Sequence, residues 1–346
     1  MKPQTDLTAS ETLLQVEGLR VHFFTPRGVV EAVRGVSLHI NRGETLGLVG
    51  ESGSGKSVTS QVLMGLIQLP GKIVAGEVKW KGRSLLGIDS ADYVSRVRGK
   101  EIAMVFQDPM TSLNPVFSVG MQIGEVLRYH SGLNRAQAAD RAAELLDLVG
   151  IASPRARLRQ YPHELSGGMR QRVMIAMALA CGPELLIADE PTTALDVTIQ
   201  AQVLELIAKL QQDFNLAVLL ITHDLGVVAE LCHRVAVMYA GRILETGSAA
   251  ALFHDPAHPY TMGLPRSTPR LDQLRPRLVA IDGAPPDMAQ APTGCAFHPR
   301  CPLATDACLT DAPPLAPRER GREVACWRPF APAWEQRRET EKAHAS

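Results

Sequence analysis

A glycine-rich segment between an apolar strand and a helix constrains the fold of this chain most strongly. Residues 50–57 read GESGSGKS and match the pattern G-x-x-x-x-G-K-[ST]. The apolar residues 45–49 predict a buried strand before the segment, and apolar residues at helical spacing from Val58 onward predict a helix after it. A strand, a glycine loop and a helix in this order are typical of a phosphate-binding loop in a parallel α/β sheet.

The residues of this loop have distinct expected roles toward a nucleoside triphosphate, which we take to be ATP. Glycines let backbone N–H groups converge on phosphate oxygens, and the N-terminal end of the following helix adds positive potential. We expect Lys56 to neutralise the β- and γ-phosphates and the Ser57 hydroxyl to coordinate Mg²⁺. The expected nucleotide-binding residues of this segment are Gly50, Ser52, Gly53, Ser54, Gly55, Lys56, Ser57 and Val58.

A second apolar strand, at residues 185–188, is followed by two adjacent carboxylates, Asp189 and Glu190. Carboxylates at the end of a buried strand are costly unless they meet cations or polar partners. We expect Asp189 to bind Mg²⁺ and Glu190 to act as the general base toward the attacking water, a role that contributes about 10²–10⁴-fold in rate. Taken alone, the pair is equally consistent with a solvated strand end and helix cap.

The charge balance narrows the class of protein. Lys+Arg and Asp+Glu both number 36, so the basic excess that is typical of nucleic-acid-binding proteins is missing and we expect no nucleic acid partner. No stretch contains the roughly 20 consecutive apolar residues that cross a bilayer, and residues 1–11 lack the apolar core of a signal peptide. We therefore expect a cytosolic chain that reaches a membrane only through partner proteins.

Strand-like and helical patterns alternate through the first 250 residues, which predicts the α/β class with a mainly parallel core sheet. Proline becomes frequent after Pro256 and helical periodicity weakens. This change predicts a small loop-rich C-terminal domain at residues 257–330. The charged residues 335–346 are expected to form a disordered tail.

Residues 165–172, LSGGMRQR, resemble the signature motif of ABC ATPases and, as in that family, precede the carboxylate strand. Met169 stands where many family members have glutamine, whereas the serine and both glycines are kept. The resemblance covers about residues 13–250 and implies an ABC-type P-loop ATPase with an antiparallel β subdomain beside the core sheet. It also implies a helical subdomain at about 108–168 within an ATPase domain at 13–256.

Other motifs of the same family occur in the expected order, and the resemblance implies a role for each. A Q-loop glutamine would help to bind Mg²⁺ and report on the γ-phosphate, and a switch histidine would orient that phosphate. An aromatic residue would stack on adenine, with a place in the core as its alternative, and a D-loop aspartate would lie near the nucleotide. The residues that carry these resemblances are Gln107, His223, Phe23 and Asp196.

The signature motif also predicts a pair of subunits. Ser166, Gly167 and Gly168 open a helix and therefore form a second anion site. In the family fold this site lies too far from the chain's own phosphate loop to share one nucleotide, and it contacts the γ-phosphate held by a partner. The resemblance therefore implies a second, homologous ATPase subunit.

Several stretches are similar to the ATPases of dipeptide and oligopeptide importers, namely residues 166–179, 188–200, 258–261 and 294–308. That similarity implies a bacterial importer with two transmembrane permease subunits and an extracytoplasmic binding protein. The chain would then lie peripherally on the cytoplasmic face of the inner membrane. The alternatives are a nickel importer, a soluble non-transport ABC ATPase, and a binding module without catalysis.

The cysteines fall into two groups. Cys181 and Cys232 are isolated and are expected to be structural thiols. The other four have wide, irregular spacing with a proline directly after one of them, which favours a [4Fe–4S] cluster over zinc, with no metal as a third alternative. His298 is a further candidate ligand. These four expected ligands are Cys295, Cys301, Cys308 and Cys326.

Overall fold

The computed structural model describes residues 11–193, 195–264 and 281–330. The tail predicted at 335–346 lies outside the described residues. The strands are β1 Thr12–Thr25, β2 Gly28–Asn41, β3 Thr45–Val49, β4 Gly71–Trp80, β5 Arg83–Ser84, β6 Ile102–Val105, β7 Leu185–Asp189, β8 Ala217–Thr222, β9 Arg234–Tyr239, β10 Arg242–Ser248, β11 Ala316–Arg318 and β12 Arg322–Val324.

Helices surround these strands, and short 3₁₀ turns connect some of them. The α-helices are α1 Lys56–Leu63, α2 Ser90–Arg96, α3 Pro109–Ser112, α4 Val119–Ser131, α5 Arg135–Leu148, α6 Pro154–Arg157, α7 Gly167–Ala178, α8 Val197–Phe214, α9 Leu225–Leu231, α10 Ala249–His254, α11 Pro259–Gly263 and α12 Asp306–Thr310. In the part of the chain that the structure describes, no helix is both long and apolar enough to cross a membrane.

The strands form two sheets, as the α/β prediction requires. The central sheet has the order β11-β12-β10-β9-β3-β8-β7-β6, and its run from β9 to β6 is parallel. The second sheet has the order β2-β1-β4-β5 and is antiparallel. The prediction of a mainly parallel core sheet beside an antiparallel β subdomain is confirmed.

The central strands are buried on both faces because each face covers a separate core. Every residue of β3, β7 and β8 is buried, which explains their continuous apolar sequences. Along β7, Leu186 and Ala188 join the core formed with the helices, whereas Leu185 and Ile187 join the core formed with the antiparallel sheet. This alternation fixes which residues reach the edge of the sheet where the strands end.

The C-terminal segment, residues 281–330, packs directly onto strands of the central sheet. Strand β12 pairs with β10 and β11 pairs with β12, so the segment extends the central sheet at its edge. Phe297 inserts against Tyr239 of β9 and Tyr260 of α11, with ring centroids 5.5 and 5.3 Å away. Aromatic pairs at such separations stabilise a contact beyond simple area burial. The segment is therefore held close to the loop that follows β3.

Candidate nucleotide site

The loop between β3 and α1 has a backbone that only glycine tolerates at two positions. Gly50 has φ 157° and Gly55 has φ 103°. A Cβ atom at Gly50 would lie 2.0 Å from the carbonyl oxygen of Met238, and one at Gly55 would lie 2.5 Å from a carbonyl oxygen of β2. The loop is thus pressed against two strands, and its glycines satisfy a packing requirement as well as a conformational one.

Lys56 lies inside this loop. Its side chain is 5% exposed, and its ammonium group donates hydrogen bonds to the carbonyl oxygens of Gly50 at 2.8 Å and Glu51 at 2.9 Å. Burial lowers the pKa of Lys56, and the nearby carboxylates of Glu190, Asp189 and Glu51 oppose that shift. A cation held by loop carbonyls is placed to exchange those contacts for phosphate oxygens.

Asp189, at the end of β7, faces the start of α1. Its two carboxylate oxygens accept hydrogen bonds from the hydroxyls of Ser57 at 3.2 Å and Ser60 at 3.3 Å. Burial raises the pKa of Asp189, and the two hydroxyls act in the opposite direction. A carboxylate beside a serine hydroxyl is the oxygen-rich environment that Mg²⁺ prefers, so the residues present fit that ion. Sequence reasoning found Ser57 and Asp189 but missed Ser60.

Polar side chains from several segments surround the Glu190 carboxylate. One carboxylate oxygen, Oε2, accepts hydrogen bonds from the Gln107 amide at 3.1 Å and the Thr193 hydroxyl at 2.9 Å. The same oxygen lies 3.6 Å from Nδ1 of His223. The sequence analysis identified Glu190, Gln107 and His223 as candidate site residues from separate motifs, and the structure brings them together. Thr193 was missed, although its position three residues after Glu190 was a signal.

The backbone at Glu190 is also unusual. Its φ of 46° places a non-glycine residue in the left-handed region. Such a conformation costs about 1–3 kcal/mol and persists only where the surroundings hold it. The hydrogen bond from its N–H to the carbonyl of Ile221 in β8, at 2.9 Å, supplies part of that hold. In this conformation the carboxylate lies beside Gln107, Thr193 and His223.

The signature segment lies in a different place. Ser166 is the N-cap of α7, and its hydroxyl accepts a hydrogen bond from the N–H of Met169 at 3.3 Å. Asp196 similarly caps α8 by accepting from the N–H of Ile199 at 3.0 Å. Among the described residues, no hydrogen bond joins residues 166–168 to the phosphate loop.

Phe23 is half-buried on β1 and pairs across the strands with Val30 and Gly71. A Cβ atom at Gly71 would lie 2.7 Å from its ring, so the ring rests on the backbone of β4. The ring packs against the core under the antiparallel sheet while keeping one part at the surface. Both of its sequence-based interpretations, adenine stacking and core packing, are compatible with this place.

The C-terminal segment contacts the phosphate loop, which sequence reasoning did not anticipate. Arg300 forms a bidentate ion pair with Glu51, the second residue of the loop, with N–O distances of 2.7 and 3.0 Å. The Arg300 side chain is 6% exposed and also donates to the Tyr239 hydroxyl at 3.2 Å. The N–H of Glu51 donates to the Tyr260 hydroxyl at 2.9 Å. These contacts form a C-terminal clamp on the loop.

The prediction of an iron–sulfur cluster is wrong, and its zinc alternative fails with it. Within residues 11–193, 195–264 and 281–330, no group of three or more His, Cys, Asp or Glu residues could hold a metal ion. The four C-terminal cysteines line one small cavity of about 20 Å³. Burial raises the pKa of Cys301 to about 12 and that of Cys326 to about 11. Metals bind the thiolate, so burial opposes metal binding at Cys301 and Cys326.

The two isolated cysteines lie where structural thiols are expected. Cys232 is buried, and burial raises its pKa to about 12. Cys181 is half-buried beside the hydroxyl of Ser131, and burial raises its pKa as well. Neither thiol is ionised near neutral pH, so neither is activated as a nucleophile.

A glycine loop that encloses a buried lysine, followed in space by a carboxylate pair at the ends of parallel strands, defines a P-loop nucleotide-binding domain. Comparison with known proteins narrows this class. The family model for ABC transporters matches residues 33–193, and the model for the C-terminal region of oligopeptide/dipeptide transporters matches residues 244–308.

Relatives match nearly the whole chain. The oligopeptide transport ATP-binding protein AppD of Bacillus subtilis is 53% identical over 317 residues, which are 91% of this chain and 96% of AppD. The dipeptide transport ATP-binding protein DppD of Escherichia coli is 51% identical over 318 residues, which are 92% of this chain and 97% of DppD. The chain therefore belongs to the ABC transporter family, as one of its ATP-binding proteins.

Solved structures of ATP-binding cassettes share the fold. The dimeric structure of MJ0796, a bacterial ABC transporter cassette, superposes with a TM-score of 0.61 at 27% identity. The match covers 68% of this chain and 99% of the MJ0796 chain. A second structure of the same cassette is a dimeric post-hydrolysis state bound to ADP and Pi, with the same TM-score and coverage. The shared part is the ATPase fold.

Proposed function

We propose that this chain binds and hydrolyses ATP to power a bacterial importer of dipeptides or oligopeptides. One observation carries the catalytic part: donors from separate segments, led by Gln107 and Thr193, converge on a single carboxylate oxygen of Glu190. That carboxylate directly follows Asp189, which is hydrogen-bonded to the first helical turn after the phosphate loop. The names and extent of AppD and DppD support the peptide cargo. Nickel remains the alternative cargo to test.

Each group has a role that follows from its place. Lys56 exchanges its bonds to loop carbonyls for the β- and γ-phosphates of ATP. Ser57 and Asp189 would hold Mg²⁺, which neutralises charge on the phosphate oxygens. Glu190 accepts a proton from the attacking water, while His223 and Gln107 lie beside it to orient the γ-phosphate.

The exposed start of α7 supports a paired enzyme. Ser166, Gly167 and Gly168 begin α7, and the N-terminal end of a helix attracts phosphate. Because they make no hydrogen bond to their own chain's loop among the described residues, we assign them to the nucleotide of a second ATPase subunit. The dimeric cassette MJ0796 offers a precedent for such pairing. Asp196 and Phe23 complete the proposed nucleotide contacts.

The remaining partners follow from the transporter family. We assign the chain to the cytoplasmic face of the bacterial inner membrane, bound to two permease subunits that work with an extracytoplasmic binding protein. In this arrangement Gln107 links the γ-phosphate to the permease side. The described helices are not suited to crossing a membrane, so attachment would be peripheral.

Uptake in cells tests this function. In a strain that lacks the gene, uptake of a radiolabelled dipeptide and a radiolabelled tetrapeptide is measured with the wild-type chain or with Glu190→Gln supplied in trans. We expect wild type to restore uptake of at least one peptide and Glu190→Gln to restore none. Restoration of nickel-63 uptake alone would replace the peptide assignment with the nickel one.

A further inference from the structure

Three arginines meet where the antiparallel sheet, β10 and the C-terminal segment come together. Arg20 of β1 and Arg34 of β2 are directly opposite each other in the antiparallel register. Arg242, the first residue of β10, lies close enough that Arg34 and Arg20 both act electrostatically on it. Like charges directly opposite on paired strands destabilise a sheet. The arrangement therefore costs stability unless something negative offsets it.

The carboxylates nearby offset only part of this charge. Glu31 accepts a hydrogen bond from Nε of Arg34 at 3.1 Å. Glu323 of the C-terminal segment lines the same cavity as the three arginines. Among the described residues named at this cluster, two carboxylates face three guanidinium groups, which leaves one positive charge in excess. Burial lowers the pKa of Arg242, and the two other arginines lower it further.

Two guanidinium N–H groups in this cluster are buried without a partner. Arg34 is 7% exposed; its Nη2 donates to the carbonyl oxygen of Pro292 at 2.8 Å, and its Nη1 has no hydrogen-bond partner among the described residues. In the same described part of the chain, Nε of Arg242 is also buried and without a partner. Leaving a buried charged donor unsatisfied costs free energy. A negative charge in the neighbouring cavity would offset part of that cost.

A cavity of about 320 Å³ lies between these side chains. Arg20, Arg34 and Arg242 line it from the ATPase strands, and Gly294, Pro313 and Glu323 line it from the C-terminal segment. Its volume is at the lower end of the roughly 300–1,000 Å³ typical of small-molecule sites. It is larger than a bare phosphate group requires, so an organic phosphate of small size also fits.

We propose that this arginine cavity, lined by Arg20, Arg34 and Arg242, is a binding site for a phosphate-class oxyanion, separate from the nucleotide site. Guanidinium groups present planar, fixed donors that match phosphate oxygens. The ligand relieves the repulsion between the opposed arginines and offsets part of the cost of the two unsatisfied donors. Because the cavity spans both parts of the chain, the bound anion ties the C-terminal segment to the ATPase strands.

The test must first keep phosphate away from the phosphate loop. The full-length chain is saturated with the non-hydrolysable analogue AMP-PNP and Mg²⁺, and inorganic phosphate is then titrated calorimetrically at constant ionic strength. We expect saturable binding at one site per chain. Glycerol 3-phosphate is titrated in parallel: tighter binding than inorganic phosphate identifies an organic phosphate as the ligand, and equal binding identifies free phosphate. Equal binding of acetate would overturn the phosphate class.

Variants separate a binding role from a structural one. Arg242→Gln and Arg20→Gln are each expected to weaken phosphate binding at least tenfold, since each removes a guanidinium group from the cavity. Arg155→Gln is the matched control, because Arg155 is exposed and pairs with Asp140 on the helical side of the chain. Its binding is expected to equal that of wild type. Arg20 is exposed, so Arg20→Gln is expected to fold. Its phosphate binding therefore tests the proposal even if Arg242→Gln does not fold.

Thermal unfolding without phosphate gives a second, opposite readout. There the Arg20→Gln variant is expected to melt at or above the wild-type temperature, because a like-charge pair has been removed. With phosphate, wild type is expected to gain more than the variant. The proposal is overturned if nucleotide-saturated wild type binds no phosphate, or if Arg20→Gln melts lower without phosphate and keeps the full wild-type gain.

Discussion

The C-terminal clamp on the phosphate loop leads to a quantitative prediction for Arg300→Met. Arg300 is 6% exposed and forms two charge-assisted hydrogen bonds to Glu51. Truncating one member of a desolvated, hydrogen-bonded charge pair costs about 2–5 kcal/mol. Glu51 keeps 26% of its side chain exposed, so water can solvate it after the change. We therefore expect the lower part of that range, about 2–3 kcal/mol.

We expect this loss of free energy to weaken nucleotide binding more than it slows hydrolysis. The carbonyl oxygen of Glu51 accepts from Lys56 at 2.9 Å, so a displaced Glu51 disturbs the segment that receives the phosphates. Since 1.4 kcal/mol corresponds to a tenfold change in an equilibrium constant, a loss of this size that falls wholly on binding should weaken ATP affinity by about 30- to 140-fold. Glu190 and His223 do not contact Arg300, so turnover at saturating ATP should stay within about threefold of wild type.

The assay is a double-mutant cycle in the full-length chain. ATP binding and steady-state hydrolysis are measured for Arg300→Met, Glu51→Gln and the double variant, with Arg300→Lys as the conservative change. If the pair acts as a unit, the double variant should be hardly weaker than either single one. Arg141→Met is the control, because Arg141 is half-exposed and its bond to Glu144 lies on the surface. Its effect should be below about 0.5 kcal/mol.

Three results would refute this reasoning. The first is an ATP affinity of Arg300→Met within twofold of wild type. The second is additivity, in which the double variant loses the sum of the two single effects, because independent residues add and coupled ones do not. A fall in turnover at saturating ATP with unchanged affinity would also contradict a positioning role for the clamp.

Three further predictions follow from single groups. Glu190→Gln should lower turnover by about 10²–10⁴-fold while ATP binding persists, and normal hydrolysis would remove Glu190 as the base. Gly50→Ala should abolish ATP binding, because its Cβ would lie 2.0 Å from a carbonyl oxygen. At Gly53 a Cβ atom would meet nothing within 4 Å. Gly53→Ala should therefore lower the free energy of unfolding, measured by thermal unfolding, only by the left-handed strain of about 1–3 kcal/mol. Burial raises the pKa of Glu245, so the folded state holds that proton more tightly. The stability of the folded protein should therefore fall as pH rises from the pKa of Glu245 in the unfolded state to its pKa in the folded state. The melting temperature of Glu245→Gln should not show this decline when it is measured over the same pH range.

The candidate catalytic site could be located from the sequence because its parts are local. Lys56 and Ser57 follow a strand and a glycine loop within a few residues, and Asp189 and Glu190 directly end an apolar strand. Parallel strands place their carboxyl ends at one edge of the sheet, so the two segments had to meet. Ser60 carried no comparable signal, because its contact with Asp189 depends on which turn of α1 faces β7.

The C-terminal features could not be predicted because they depend on tertiary packing. Glu51 and Arg300 are 249 positions apart, and no local pattern relates them. Strands β11 and β12 have three residues each, which is too short for a period of two to be recognised. Cysteine spacing suggested a metal, yet spacing does not determine how thiols face one another or how strongly burial opposes their ionisation.

The convergence on Glu190 would also let the proposed site detect its own nucleotide. The Gln107 amide and the Thr193 hydroxyl both use the same carboxylate oxygen, and His223 lies 3.6 Å from it. A γ-phosphate offers stronger, charged acceptors at the same place, so donors that leave the carboxylate for the phosphate change position together. Gln107 follows β6 at the edge of the sheet, and its movement therefore reaches the segment that leads into α3. Replacing Gln107 should then weaken the link between nucleotide and partner more than it weakens ATP binding itself.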